Sequence, residues 1–293
     1  MDQIPQILAN GVYLGAQYAM IALGLTLIFA LMNVLNFAHG QMYVLGGFVT
    51  YTIYGAWGLP FVVALAMSCI TLAILGALIE KYLFAPVIKK SARDESTMLL
   101  AAAIAFLLDA VILLVFGEKQ RGVPKLVDGT TILGDYTLVI ANDRILICLL
   151  AIASIIGFIS FMQFSKTGRA LRALAQDRVA AQLMGVNVDR YSMIGFALGA
   201  MLAGLVGGLL VTITGINLGM GGPTSIKAFM MVMIGGAGVI SGAIAGGIIL
   251  GFLEAAGLAL LASYGNITYL LIFVSLMIFL AIRPQGLMGK PWG

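Results

Sequence analysis

The chain has 293 residues, 61% hydrophobic and 10% charged, with a mean hydropathy of +1.08 and a formal net charge of +4. Soluble domains carry about 25% charged residues; a chain this poor in polar groups cannot cover a water-exposed surface, which excludes a soluble enzyme or nucleic-acid-binding domain. Membrane β-barrels are excluded as well, because their strands run to about 10 residues and alternate in polarity, whereas "GAQYAMIALGLTLIFALM" is apolar on every face.

The sequence therefore predicts an all-α polytopic membrane protein, a single domain over 1–293. It is a bundle of about 8–10 transmembrane helices, at about 20 apolar residues per span, with broken or re-entrant segments. Asp2 stands where a signal peptide would carry basic residues, so the first span, Gly11 to Leu31, is expected to direct insertion itself. A polar break from Asn33 to Gln41 follows. It contains "NFAHGQ", inside a stretch from Gln3 to Ile79 that has no Asp, Glu, Lys or Arg, and its His39 is the sole histidine. Asn36 is suited to cap a helix, Gly40 frees the backbone, and His39 and Gln41 can satisfy exposed carbonyls. The same groups are candidates for a solute path.

Further spans are expected at Met42 to Ala56, Phe61 to Tyr82, Thr97 to Phe116, Ile145 to Phe164, Tyr191 to Thr212 and Ile267 to Ile282. "WGLP" is a short turn after the second of these, and Ala85 to Ser96 a charged loop. The polar segment 117–144 is an external loop, either a connector or a contact for an external partner. In it, Asp128-Gly129 between two β-prone runs predicts a hairpin turn, and "DYTLVIA" a further strand. After "GINLGMGGP", Ile226 to Leu261 is too long for one span and holds seven glycines between Gly235 and Gly251. It reads as two spans, or as a broken helix and a span.

Basic residues set the orientation. Lys81, Lys89, Lys90 and Arg93, then Lys166, Arg169, Arg172, Arg178 and Arg190, and finally Arg283 and Lys290 share one side. The basic residues of 117–144 are offset by Glu118, Asp128, Asp135 and Asp143. The first set is cytoplasmic by the positive-inside rule, which puts the C-terminus inside and, with about nine spans, the N-terminus outside.

Glycines recur at four-residue spacing at Gly11 and Gly15, Gly195 and Gly199, Gly204 and Gly208, and Gly238, Gly242 and Gly246. Such stripes let helix backbones approach closely; they serve bundle packing, sliding of spans, or both. "NFAHGQMYVLGG" and "PTSIKAFMMVMIGG" each combine a polar break with a following Gly pair, and they enter from opposite sides, the pattern of an inverted repeat. Thr224 and Ser225 in the second break join the solute-path candidates. Asp109 and Glu254 fall within spans, where charge is costly and is functional by default; they suit either a proton relay or a hydrogen-bonded or paired role in the bundle. Lys227, near a span end, is expected to snorkel. Cys69 and Cys148 lie in apolar runs and read as packing. No phosphate-binding G-x-x-x-x-G-K-[ST] loop, His/Cys metal cluster or Ser-His-Asp arrangement is present, so no catalytic role or cofactor is expected in this chain.

The segment 165–190 is the most informative. Ala170 to Leu183 predicts a short amphipathic helix, with Leu171, Leu174, Val179 and Leu183 on one stripe and Arg169, Arg172 and Gln176 on another. Gly168 precedes it and Gly185 follows. Such a helix is either a solvated connector or a lever for a soluble subunit.

"NFAHGQMYVLGGF", "GRALRALAQDRVAAQLMGVNVDR", "IKAFMMVMIGGAGVISGAIAGGIILGFLE" and "RPQGLMG" resemble the branched-chain amino-acid permease family of ABC importers, specifically its LivH-type subunit, over essentially the whole chain. The resemblance implies a multi-pass permease of a bacterial-type inner membrane. Its partners would be a second, LivM-like permease, two cytoplasmic ATPases that hold the ATP and Mg, and an external solute-binding protein. It also implies that Gly168, Arg169, Arg172, Gln176, Asp177 and Gly185 lie in the loop that docks on an ATPase. The cargo implied is a branched-chain or related amino acid; relatives that carry urea or amides keep those alternatives open. An ion-coupled carrier using Asp109 and Glu254 is the alternative of a different class. Gln41 stands where many LivH-like chains are expected to have an acidic residue.

Overall fold

The computed structural model describes residues 4–90, 94–133, 138–260 and 265–289. Arg93, Lys290 and the start of the expected strand "DYTLVIA" lie outside the described residues. Helix α1 (Ile4–Met32) is the centre of the bundle, and every residue from Gly15 to Ile28 is buried. This is the outcome expected for a helix apolar on all faces. It ends at Asn33, whose left-handed φ of 53° and N–H bond to the Phe29 carbonyl close the last turn.

After the polar break, α2 (His39–Thr50) runs on through a π-helical turn (Tyr51–Ala56). Helix α3 (Phe61–Ile79), a second π-helical turn (Glu80–Phe84) and α4 (Ala85–Lys90) form one rod. The charged loop expected from Ala85 is thus helical as far as Lys90. Pro86 cannot donate to the carbonyl one turn before it, and the widened turn just upstream takes up that mismatch.

Helix α5 (Asp94–Phe116) is followed by an antiparallel pair, β1 (Thr130–Leu133) and β2 (Leu138–Ala141), with Thr130 opposite Ala141 and Leu133 opposite Leu138. The hairpin is present, but its turn is not at Asp128-Gly129. Those residues lead into β1, where the Gly129 carbonyl accepts from the Asn142 N–H at 3.1 Å and the Thr131 hydroxyl donates to Asn142 Oδ1 at 2.6 Å. Asn142 closes the open end of the ribbon.

The chain continues through α6 (Asn142–Phe164), α7 (Lys166–Gln176), α8 (Arg178–Leu183) and α9 (Val188–Thr214). A short 3-10 turn leads into α10 (Gly221–Gly235), then α11 (Ile240–Leu260) and α12 (Gly265–Ile282). Among the described residues, six helices are long and apolar enough to cross a membrane: α1, the α3–α4 rod, α5, α6, α9 and α11.

The orientation is internally consistent. The Val139 N–H donates to Gln6 Oε1 at 3.2 Å, and Arg121 and Ile216 exchange two backbone bonds, so the start of α1, the β-ribbon and the α9–α10 connection share one face. At the other face Lys89 meets Asp189 at 2.6 Å, and the tail after α12 adds backbone bonds from Leu287 and Met288 to the end of α10. The second face carries the basic segments and is cytoplasmic.

Helix α1 packs antiparallel along α11, and α3 antiparallel along α9; these are the two most extensive helix pairs. Helices α2 and α10 cross each other between them. Exchanging α1–α2–α3 for α9–α10–α11 preserves this set of contacts, and the two units run in opposite directions. This is the packing of an inverted repeat. The glycine stripes supply the closeness: Gly24 and Gly199 each face the other's carbonyl, Gly15 faces Ile248, and Gly204 faces Leu72. Gly238 is the exception. It sits in the α10–α11 turn with φ +80°, outside the helical stripe formed by Gly242 and Gly246.

Candidate functional site

Helix α10 has 15 residues, about 22 Å at 1.5 Å per residue, short of the roughly 30 Å of a bilayer core. It starts partway into the bundle, where it meets the first turn of α2. The sequence candidates gather there. Asn36 Oδ1 accepts from the Ala38 N–H at 3.1 Å, and its carbonyl accepts from the His39 N–H at 3.2 Å, so Asn36 closes a turn within the break rather than capping α2, whose N-cap Ala38 has no side-chain cap bond. The Gly40 N–H donates to Ser225 Oγ at 2.9 Å, and that hydroxyl donates in turn to the Phe37 carbonyl at 3.0 Å. One side chain of α10 thus satisfies two exposed backbone groups at the start of α2. Phe37 and Phe229 pack edge to face at 5.0 Å beside it. Thr224, half-buried, makes no side-chain hydrogen bond among the described residues and stands apart.

His39 is fully buried, and its Nε2 donates to the Ile21 carbonyl at 3.2 Å, with the ring against Gly24 where α1 crosses α9. A carbonyl only accepts, so this bond fixes the proton on Nε2. Gln41 Nε2 donates to Asp109 Oδ2 at 3.1 Å, tying α2 to α5. The Gln41 carboxamide also lies on Gly221, leaving no room there for a Cβ.

The second intramembrane carboxylate is the centre of a charge cluster that joins three helices. Lys227 of α10 donates to Glu254 of α11 at 2.7 and 2.9 Å and to the Tyr18 hydroxyl of α1 at 2.7 Å, and Tyr18 donates to Glu254 at 2.5 Å. The Glu254 side chain is 6% exposed and that of Lys227 25%. Lys227 therefore does not simply snorkel. It neutralises a buried carboxylate, which is how a charge survives in the bundle interior. Tyr18 is not legible as a partner in the sequence, because a single tyrosine in an apolar run carries no pairing signal.

At the cytoplasmic face the expected single helix is two. Asp177 has extended backbone (φ −156°, ψ 113°), and its Oδ1 accepts from the Val179 and Ala180 N–H groups at 2.8 and 2.9 Å, capping α8. The expected start is also shifted. Ser165 caps α7 by accepting from the Gly168 N–H at 2.8 Å, so Gly168 lies in the first turn, packed on the Phe161 and Met162 carbonyls. Gly185 ends α8 with φ +85°, as expected. Arg169 and Arg172 donate to the Phe164 and Gln163 carbonyls at the end of α6, and Arg178 donates to Ser192 of α9. Helix α7 is thereby tied to α6 and α8 to α9, and Gln176 ends α7.

The expected apolar stripe divides at this break. Leu171 and Leu174 are buried in the bundle, whereas Val179, Leu183 and Met184 are 69%, 83% and 85% exposed.

The family model for the branched-chain amino acid transport system permease component matches residues 7–281. The chain belongs to the branched-chain amino-acid permease family. It is 31% identical, over 98% of its length and 96% of the relative's, to the high-affinity branched-chain amino acid transport system permease protein LivH of Escherichia coli K12. BraD of Pseudomonas aeruginosa is likewise 31% identical over 98% and 96%. The probable LivH of Methanocaldococcus jannaschii is 30% identical over 98% of this chain and 93% of its own. Among solved structures, PsaBC from Streptococcus pneumoniae in complex with Fab is similar in fold, with a TM-score of 0.52 at 17% identity over 97% of this chain and 94% of that one. This permease is a multi-pass inner-membrane transport subunit.

Proposed function

We propose that this permease carries branched-chain amino acids inward as one half of an ABC importer. A second, LivM-like permease would form the other half, two cytoplasmic ATPases would hold the ATP and Mg, and an external binding protein would deliver the solute to the face of 117–144. The relatives named for branched-chain amino acid transport support the cargo, and the chain itself would need no cofactor. The observation that carries the machine is the α7–α8 pair: a cytoplasmic elbow tied to two spans, with Val179, Leu183 and Met184 projecting from it into solvent.

Such an elbow transmits force. Closure of the ATPases would press on α8, and the arginine ties would pass the movement to α6 and α9. The energy comes from the nucleotide, so the permease needs only two arrangements of similar stability. The docking contact is apolar and centred on α8, while Arg169, Arg172 and Asp177 hold the elbow's shape. A Val179→Asp/Leu183→Asp permease should still insert and pair, yet lose at least tenfold in ATP-driven uptake in proteoliposomes. Uptake at the parental rate would remove α8 as the coupling element.

The ion-coupled alternative loses ground on the geometry of the two carboxylates. Glu254 is engaged by Lys227 and Tyr18, and Asp109 by Gln41, on different helices. His39 is packed into the α1–α9 crossing. His39→Ala is expected to lower both the amount of assembled permease in the membrane and transport. Full assembly with transport lost would instead give His39 a part in the solute path.

A further inference from the structure

A cavity of about 990 Å³ opens at the cytoplasmic face, between the inner half of α1 and the α7–α8 elbow. Its floor is the last turns of α1, including Leu27, Ala30 and Asn33; one wall is the end of α6 with α7, and the other is the α10–α11 turn with the start of α11. Ile159, half-buried, lies five residues before the last residue of α6, about 7–8 Å along a helix. The cavity therefore reaches from the interface into the depth of the acyl chains. Its two zones differ in chemistry. The half-buried Ile159 and Ile244 give the deeper part its apolar surface, while Arg172 and Arg178 lie at the cytoplasmic side.

The two arginines have donors to spare. A guanidinium offers five N–H donors, and among the described residues Arg172 and Arg178 each show one side-chain bond, to the Gln163 carbonyl and to Ser192 Oγ. Asp177 also lines the cavity and keeps its charge, but its Oδ1 is turned to the α8 backbone, and with two arginines the rim stays net cationic. A basic pocket between spans on the cytoplasmic side, apolar below and cationic at the rim, is complementary to an anionic phospholipid.

We propose that this cavity is a binding site for one anionic phospholipid. Its phosphate would be held by Arg172 and Arg178, and an acyl chain would fill the space between α1, α6 and α11. The lipid would then brace the underside of the elbow. The inference stands on the cavity and its charges and is independent of the solute carried.

The test is native mass spectrometry of the purified permease complex, supplied with phosphatidylglycerol, phosphatidylcholine or soluble glycerol 3-phosphate. Phosphatidylglycerol should be retained and phosphatidylcholine lost. Arg172→Gln/Arg178→Gln should weaken phosphatidylglycerol retention on the order of thirtyfold, the share of two arginines near an anionic surface. Ala30→Phe, which fills the floor without touching the charges, should abolish it. Equal retention of the two phospholipids by the unaltered complex would overturn the proposal, and that comparison needs no variant. Displacement of the lipid by millimolar glycerol phosphate would overturn it too, since it would mark a site for a free phosphate compound.

Discussion

Lys227→Met should destabilise the permease by about 3–5 kcal/mol, the usual result of removing one partner from a buried ion pair. It would strip the buried Glu254 carboxylate, 6% exposed, of the ammonium that neutralises it, with the Tyr18 hydroxyl still donating to it. Glu254→Gln should cost less. The Lys227 side chain is 25% exposed, so its ammonium can turn toward water, and Gln still accepts from Tyr18. The Lys227→Met/Glu254→Gln double variant should recover most of the loss, because no uncompensated charge remains. Tyr18→Phe, which removes one hydroxyl from the cluster, should fall between, at about 1–3 kcal/mol. Melting temperatures of the purified permease give this ranking directly. If the double variant is as unstable as Lys227→Met, the cluster is not held by charge neutralisation.

That cluster also marks the limit of what the sequence could reveal. Spans, orientation and the two breaks were legible, because the cost of putting polar backbone and charge into lipid leaves a mark on every residue of a span. Pairing between spans leaves no such mark. Lys227 and Glu254 are separated by the whole α10–α11 turn, and Tyr18 lies over two hundred residues from Glu254; only tertiary packing brings them together. The α7–α8 elbow shows a different failure. Leu171, Leu174, Val179 and Leu183 read as one stripe, and helix propensity alone favours a continuous helix. An Asp side chain competes for backbone N–H groups, however, and Asp177 does so twice. That competition turns one helix into two and splits the stripe into a buried half and an exposed half. At Ala85 to Lys90, charge suggested a loop, but charged residues are compatible with helix wherever the backbone can emerge from the membrane still hydrogen-bonded. At the α2–α10 junction the residues were right and their arrangement was not legible, since nothing local tells Ser225 that it will cap Gly40.

Gly40→Ala should be among the most damaging single-methyl changes in the chain. Alanine is normally better than glycine in a helix by about 1 kcal/mol, so α2 taken alone would gain. In the bundle the added Cβ would run into the Gly221 carbonyl oxygen and Ser225 Oγ of α10. Neither can easily yield: the first is backbone, and the second is held by its bond to the Phe37 carbonyl. Overpacking costs about 1–3 kcal/mol, and parting the helices far enough to relieve it breaks the Gly40–Ser225 bond, a further ~1–3 kcal/mol for a buried donor. The clash therefore outweighs the propensity. Ser225→Ala supplies the control. Alone it should cost only the hydrogen bonds; combined with Gly40→Ala it should not rescue, because the Gly221 carbonyl remains. A combined variant restored to the stability of Ser225→Ala would mean that the hydroxyl, not the α10 backbone, sets the distance between the half-helices. If the expected ranking holds, the α2–α10 crossing is fixed by backbone contact, and transport that requires these half-helices to separate must break the Ser225 bonds in every cycle.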